Sequence, residues 1–111
     1  MIQENVASCI KKASNYDGVL RIGVFGSYAR NEQRKDSDLD IIYDYYYYDD
    51  VNNGIDETFE FLDMLEIDLT NILGDRKIDF TSYHGLLDSD NSMLRQNVLN
   101  DVIWVYDKTQ A

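Results

Sequence analysis

Proline is absent from this chain, cysteine and histidine occur once each, and only ten of the 111 residues are basic. Each shortage removes a class of explanation. One cysteine cannot close an internal disulfide, and without paired Cys or His there is no zinc-ligand pattern, so the chain fits a reducing cytoplasm. No apolar run approaches the ~20 residues that cross a bilayer, and no membrane association is expected. Met1 to Lys12 mixes Gln3, Glu4 and Lys11 with apolar positions, which predicts no secretory signal. Ten bases against 21 acids leave a net charge of −11. A surface that neutralises phosphates needs clustered Lys and Arg, so direct nucleic-acid binding is not expected.

What is present fits a single globular domain over residues 1–111. Apolar residues make up 44% and charged residues 28%, the balance of a folded chain rather than a disordered one. The charge is unevenly placed: +3 over residues 1–35, −13 over 36–75, and −1 over 76–111. The central block has 13 acids and no base, and it would repel phosphate unless cations sat inside it. That is the first hint of metal.

Ile2, Val6, Cys9, Ile10 and Ala13 recur at helical spacing and predict an amphipathic helix, with Cys9 on its core face. After turn chemistry at Asn15–Gly18, the run Val19–Phe25 reads as a buried strand. It ends at Gly26-Ser27, and Tyr28 to Gln33 is expected to form a short helix capped by Ser27. Asp38 to Tyr43 reads as a second strand, and two strands joined through a helix suggest a mixed α/β layer. Residues 55–73 give the clearest helix. Ile55, Phe59, Leu62, Leu65, Leu69, Ile72 and Leu73 share one side, Asp56, Glu57, Glu60 and Asp63 the other. Asn53 and Asp56 resemble a capping box, and Gly74 is a natural stop. Lys77 to Tyr83 alternates as a third strand. Met93, Leu94, Asn97 and Val98 suggest a last helix, followed by an extended Val102 to Tyr106.

The informative stretch is Gly26-Ser27, ten residues, then Asp38-Leu39-Asp40. Alternation along a strand puts Asp38 and Asp40 on one face, with Cα atoms roughly 6.5–7 Å apart. Two carboxylates that close stay ionised at neutral pH only if cations or donors compensate. Magnesium suits such a site because it takes oxygen ligands and also binds substrate phosphates. Gly26 lets a phosphate approach the backbone, and a helix opening at Ser27 would favour anions. Arg30, one turn on, adds a cation that either stabilises phosphates or pairs with a nearby acid. A third carboxylate on a neighbouring strand would complete a two-metal arrangement. Asp79 is the candidate, because Ile78 and Phe80 would point into the core and leave it on the opposite face. With this chain's own residue frequencies, the Gly-Ser and Asp-x-Asp spacing arises by chance in roughly one sequence in 150.

Other templates fail. Asp36, Asp38 and Asp40 mimic the opening of a calcium-binding EF-hand loop, but Ile41 holds its glycine position and Tyr47 its twelfth. Neither a GxxxxGK[ST] loop nor a GxSxG elbow is present. His84, just past the third strand, reads as a surface or capping residue, with an acid–base role left open by its closeness to Asp79. The run Tyr45 to Tyr48 is either an extension of the second strand or a surface that receives a partner.

Phe25-Gly26-Ser27-Tyr28-Ala29-Arg30-Asn31-Glu32, followed by Asp36-Ser37-Asp38-Leu39-Asp40-Ile41, resembles the signature of the DNA polymerase β-like nucleotidyltransferase superfamily. Within it the chain looks like the minimal nucleotidyltransferases of the MntA antitoxin type. The resemblance implies an α/β (α+β) fold, a small mixed sheet backed by helices with the site at the strand ends. It implies transfer of AMP from ATP, with pyrophosphate released, to a tyrosine hydroxyl of a HEPN-type ribonuclease toxin. Carried over, Asp38 and Asp40 would hold Mg²⁺ against the phosphates and Asp79 a second ion near the attacking hydroxyl. Gly26 and Ser27 would hold the triphosphate. Asn31 departs from the family pattern, which usually has Gly there to ease a tight turn. Two alternatives stand beside this reading: a non-catalytic binding antitoxin on the same fold, and a transferase for small molecules.

Overall fold

The computed structural model describes residues 4–16, 18–34, 37–46 and 51–108, with residues 51–59 described by backbone alone. Eight elements follow one another: α1 (Glu4–Ala13), β1 (Val19–Phe25), β2 (Leu39–Tyr45), α2 (Val51–Leu73), β3 (Ile78–Ser82), α3 (Tyr83–Leu87), α4 (Ser92–Asp101) and β4 (Ile103–Asp107). The strands form one mixed sheet in the order β3-β2-β1-β4. β1 runs antiparallel to β2 and β4, whereas β3 lies parallel to β2 after the crossover through α2. This is the mixed sheet with helices that the sequence led us to expect. No helix among the described residues is long and apolar enough to cross a membrane.

Alternation along β2 divides the molecule into two faces. Leu39, Ile41 and Tyr45 point into the main core, built with Val6 and Ile10 of α1 and Phe61, Leu65 and Leu69 of α2. Ile42 faces the other way, into a smaller cluster with Leu86 of α3 and Val98 of α4. Cys9 packs partly buried against the main core, as its helical position implied. Tyr45 is buried there, its ring stacked 6.1 Å from that of Phe61. Its flank also covers Gly18, where a Cβ would stand 2.3 Å from the tyrosine ring. Tyr45 therefore extends the strand, Tyr46 is about half exposed, and Tyr47 and Tyr48 lie outside the described residues.

Several expectations are corrected. Residues 26–31 form turns rather than a helix, so Ser27 caps none, and β1 and β2 are joined without the helix first inferred. The reason is local. The Asn31 N–H donates to Tyr28 O (3.3 Å), that of Glu32 to Ser27 O (2.8 Å), and Asn31 takes φ +57. These are the paired bonds and left-handed residue that close a helix C-terminus, here after a single turn. Asn31 thus occupies the left-handed region, the conformation for which a glycine was expected at this position. The long helix starts at Val51, so Asn53 and Asp56 lie inside it rather than at its cap. Ile55, Phe59, Asp56 and Glu57 have side chains outside the described residues, and Ile72 is 37% exposed rather than in the core. Gly74 stops the helix as expected, at φ +76 and donating to Thr70 O. Met93 and Leu94 of α4 face solvent, leaving Val98 as its buried residue. The short α3, absent from the sequence reading, is nucleated by Ser82, whose hydroxyl accepts from the Gly85 N–H.

Candidate active site

Sheet pairing assembles the candidate residues from segments far apart in sequence. Asp40 of β2 is paired with Asp79 of β3 on one side and with Phe25, the last residue of β1, on the other. Asp79 therefore stands beside Asp40 on the face away from the main core, since Ile78 and Phe80 pack into that core. Asp38 lies one residue ahead of β2. The Gly26-Ser27 pair follows Phe25 directly, so the turn opens next to Asp40.

Contact between that turn and Asp40 is tight. Gly26 has φ +73, and a Cβ on it would stand 2.4 Å from Asp40 Oδ2. Both facts favour glycine: the backbone sits in the left-handed region, and a side chain there would have to displace the Asp40 carboxylate.

The electrostatics are those of an undercompensated acidic shelf. Burial, then the charges of Asp79 and Asp38, raise the Asp40 pKa from 3.8 to about 6, against weaker pulls from Arg30 and Lys77. Lys77 lies 3.7 Å from Asp79 Oδ1. Strand alternation, which puts residues 77 and 79 on one face, could have revealed it from the sequence. Arg30 is committed to acids, through Glu32 (3.1 Å) and through Asp101 at the end of α4. Of its two sequence-level roles, pairing is the one seen in the structure.

His84 does not join the shelf. Its Nε2 lies 3.2 Å from Asp44 Oδ1, and it is about half exposed. Asp44, buried on the same face of β2 as Asp40, accepts from Arg21 Nε (3.1 Å) and lies 3.0 Å from Arg21 Nη2. The Arg21 guanidinium is in turn stacked over the rings of Tyr83 and Trp104, at 4.4 and 4.2 Å. That cluster is neutralised and packed.

Three carboxylates on adjoining strands, with no thiolate or imidazole among them, are a donor set for a hard cation. Their fit to magnesium rests on placement: Asp79 is the ladder partner of Asp40 and Asp38 stands one residue ahead of β2, while burial and then these two charges raise the Asp40 pKa. Among the described residues no three such groups stand as a ready-made coordination cluster, so the side chains would have to converge on an ion. The shallow cavity of about 430 Å³ along α2 is lined by Asp63, Glu66, Ile67, Thr70 and Asn71, none of which belongs to this shelf.

Residues 7–111 match the family model described as Polymerase beta, Nucleotidyltransferase. The chain belongs to this nucleotidyltransferase family. The nucleotidyltransferase chain is 35% identical over 88 residues to the protein adenylyltransferase MntA of Thermococcus cleftensis, covering 79% of this chain and 76% of that one. Among solved structures, a toxin–antitoxin complex with AMP-PNP matches at TM-score 0.60 and 23% identity, over 94% of this chain and 75% of that one. The MNT antitoxin complex with the tri-AMPylated HEPN toxin of Shewanella oneidensis matches at TM-score 0.55 and 20% identity, over 95% and 72%. At those identities the structural matches establish the shared fold.

Proposed function

We propose that this nucleotidyltransferase is a protein adenylyltransferase that moves AMP from ATP to a tyrosine hydroxyl of a HEPN-type toxin, and so acts as its antitoxin. The observation that carries the reading is Asp40: a half-buried carboxylate flanked by two more and fitted against Gly26. A module that only covered its partner would have no physical use for that arrangement. The named activity of the Thermococcus cleftensis relative, and the complexes formed by proteins of the same fold, support the donor and the acceptor class.

In this reading Asp38 and Asp40 would hold Mg²⁺ against the nucleotide phosphates, and Asp79 would hold a second ion. Bound Mg²⁺ supplies positive charge that offsets the phosphates and the pentacoordinate transition state. Gly26 exposes backbone against which the triphosphate lies, and Ser27 donates its hydroxyl to a phosphate oxygen. The acceptor oxygen forms a bond to the α-phosphorus as the bond to the β-phosphate oxygen breaks, and pyrophosphate leaves. Asp79, on the outer of the two acidic strands, stands nearest the incoming hydroxyl and takes its proton.

A domain this small cannot enclose both a nucleotide and a second substrate, so the hydroxyl arrives on a partner's surface. The −13 block over residues 36–75 would steer a basic partner, and association would slow as salt rises. The test uses a purified HEPN-type toxin, Mg²⁺ and ATP labelled at the α-phosphate. Label should appear on the toxin and vanish when its acceptor tyrosine becomes Phe. Label only on free nucleotides or RNA ends would overturn the protein-acceptor reading.

A further inference from the structure

One arginine touches every segment that carries a candidate site residue, although it lies outside the signature. Arg76 stands just ahead of β3. Its Nη1 donates to the carbonyl oxygens of Arg34 and Ser37, each at 2.8 Å. Those carbonyls lie just ahead of Asp38, where Ser37 N–H donates to Arg34 O (3.1 Å) and Arg34 N–H to Ser37 Oγ (2.7 Å). The guanidinium carbon lies 5.5 Å from the ring centre of Tyr28, which is buried and belongs to the Gly26–Asn31 turn. The next residue, Lys77, accepts through its carbonyl from the Leu39 N–H (2.9 Å), the bond that opens the β2–β3 ladder.

We propose that Arg76 is a positioning residue for the acidic shelf, setting the Asp38–Asp40 segment, Asp79 and the Gly-Ser turn at the relative heights from which their oxygens can close on a divalent cation. The inference rests on the metal-dependent reading above. Its physical basis is geometric rather than electrostatic, because the cations acting on Asp40 are Arg30 and Lys77. A planar guanidinium can present its face to a ring and two in-plane N–H groups to separate carbonyls at once. A lysine ammonium can reach one or both carbonyls but offers no planar face to the ring.

The experiment compares the full chain with Arg76→Met and Arg76→Lys, and with Tyr28→Leu, which keeps the core apolar and removes the stacking ring. Binding of Mn²⁺ alone, followed by the electron paramagnetic resonance of the free ion, reads the shelf without any transfer reaction. Melting curves report whether each variant is folded. Arg76→Met should stay folded and bind Mn²⁺ about 10-fold or more weakly, the usual cost of losing a residue that orients metal ligands. Arg76→Lys should fall between it and the parent, and Tyr28→Leu should lose affinity in the same direction. If Arg76→Met does not fold, the comparison of Arg76→Lys with the parent decides. Folded variants that bind Mn²⁺ as the parent does would overturn the role of Arg76. A parent chain that binds no Mn²⁺ at millimolar concentration would instead overturn the metal-dependent reading, and this inference with it.

Discussion

Asp40 and Asp44 sit on the same strand and the same face of the sheet, two pleat repeats apart, yet their surroundings are opposite in kind. Asp44 is buried against a cation, with Arg21 reaching it through two nitrogens and itself lying over the rings of Tyr83 and Trp104. Asp40 is half buried against anions, with Asp79 beside it in the ladder and Asp38 just ahead of the strand. The first is a charge the fold has compensated from its own residues. The second is a charge left for something else to compensate, at the edge where Gly26 leaves the sheet. Burial alone does not separate these two carboxylates; the sign of their nearest neighbours does.

The largest effect expected from breaking this contrast is on transfer by Asp40→Asn. The amide keeps the shape and loses the charge, so transfer should fall by about 10³-fold or more in the labelled-ATP assay, since charge stabilisation dominates phosphoryl chemistry. Gly26→Ala comes next. Its Cβ must enter space held by Asp40 Oδ2, and the left-handed backbone adds about 1–2 kcal/mol of strain. Both a lower melting temperature and a loss of transfer are expected, read by thermal denaturation and the same assay. Asp44→Asn should do the reverse of Asp40→Asn. Removing one partner of the Arg21 pair leaves a partly buried guanidinium without its carboxylate, at a cost of about 3 kcal/mol, while transfer by the folded fraction persists.

Proton competition sharpens the contrast further. The Asp40 pKa is raised from 3.8 to about 6 in the fold, so the folded state binds the extra proton between those values. Stability of the metal-free protein should therefore fall as pH rises from about 4 to 6, with the full loss present above 6. Divalent-ion affinity should run the other way, weakening as pH drops through about 6, which Mn²⁺ titrations at pH 5 and 7.5 would show. The smallest effect belongs to Arg30→Gln. Its pairs with Glu32 and Asp101 are solvent-exposed, so melting should barely move, and any change should appear in the KM for ATP.

Much of this was legible in the sequence because it follows from periodicity. Alternation alone put Asp79 opposite Ile78 and Phe80, and the ladder then placed it beside Asp40. The Gly-Ser to Asp-x-Asp spacing marked the two segments that β1 and β2 bring together at Phe25 and Asp40. What escaped were features decided by tertiary contacts or single backbone angles. Residues 27–33 have helical composition, but Asn31 at φ +57 closes the segment after one turn, before a helix can form. The partner of His84 depends on the residue opposite it in space, and Asp44 is far from it in the chain. Arg76 was invisible for the same reason: it bonds to main-chain carbonyls, which leave no trace in side-chain patterns.

The central claim, that Asp40 is held at a cost to the fold for the sake of a cation and a nucleotide, is tested most directly by paired melting curves at pH 7.5. Parent and Asp40→Asn proteins are heated with and without Mg²⁺ and ATP. Without ligand the variant should melt at a higher temperature than the parent, because it no longer carries a charge disfavoured by burial and by Asp79 and Asp38. With Mg²⁺ and ATP the parent should gain stability by mass action and the variant should gain none. A variant that melts lower than the parent on its own, or that gains as much from Mg²⁺ and ATP, would contradict the account.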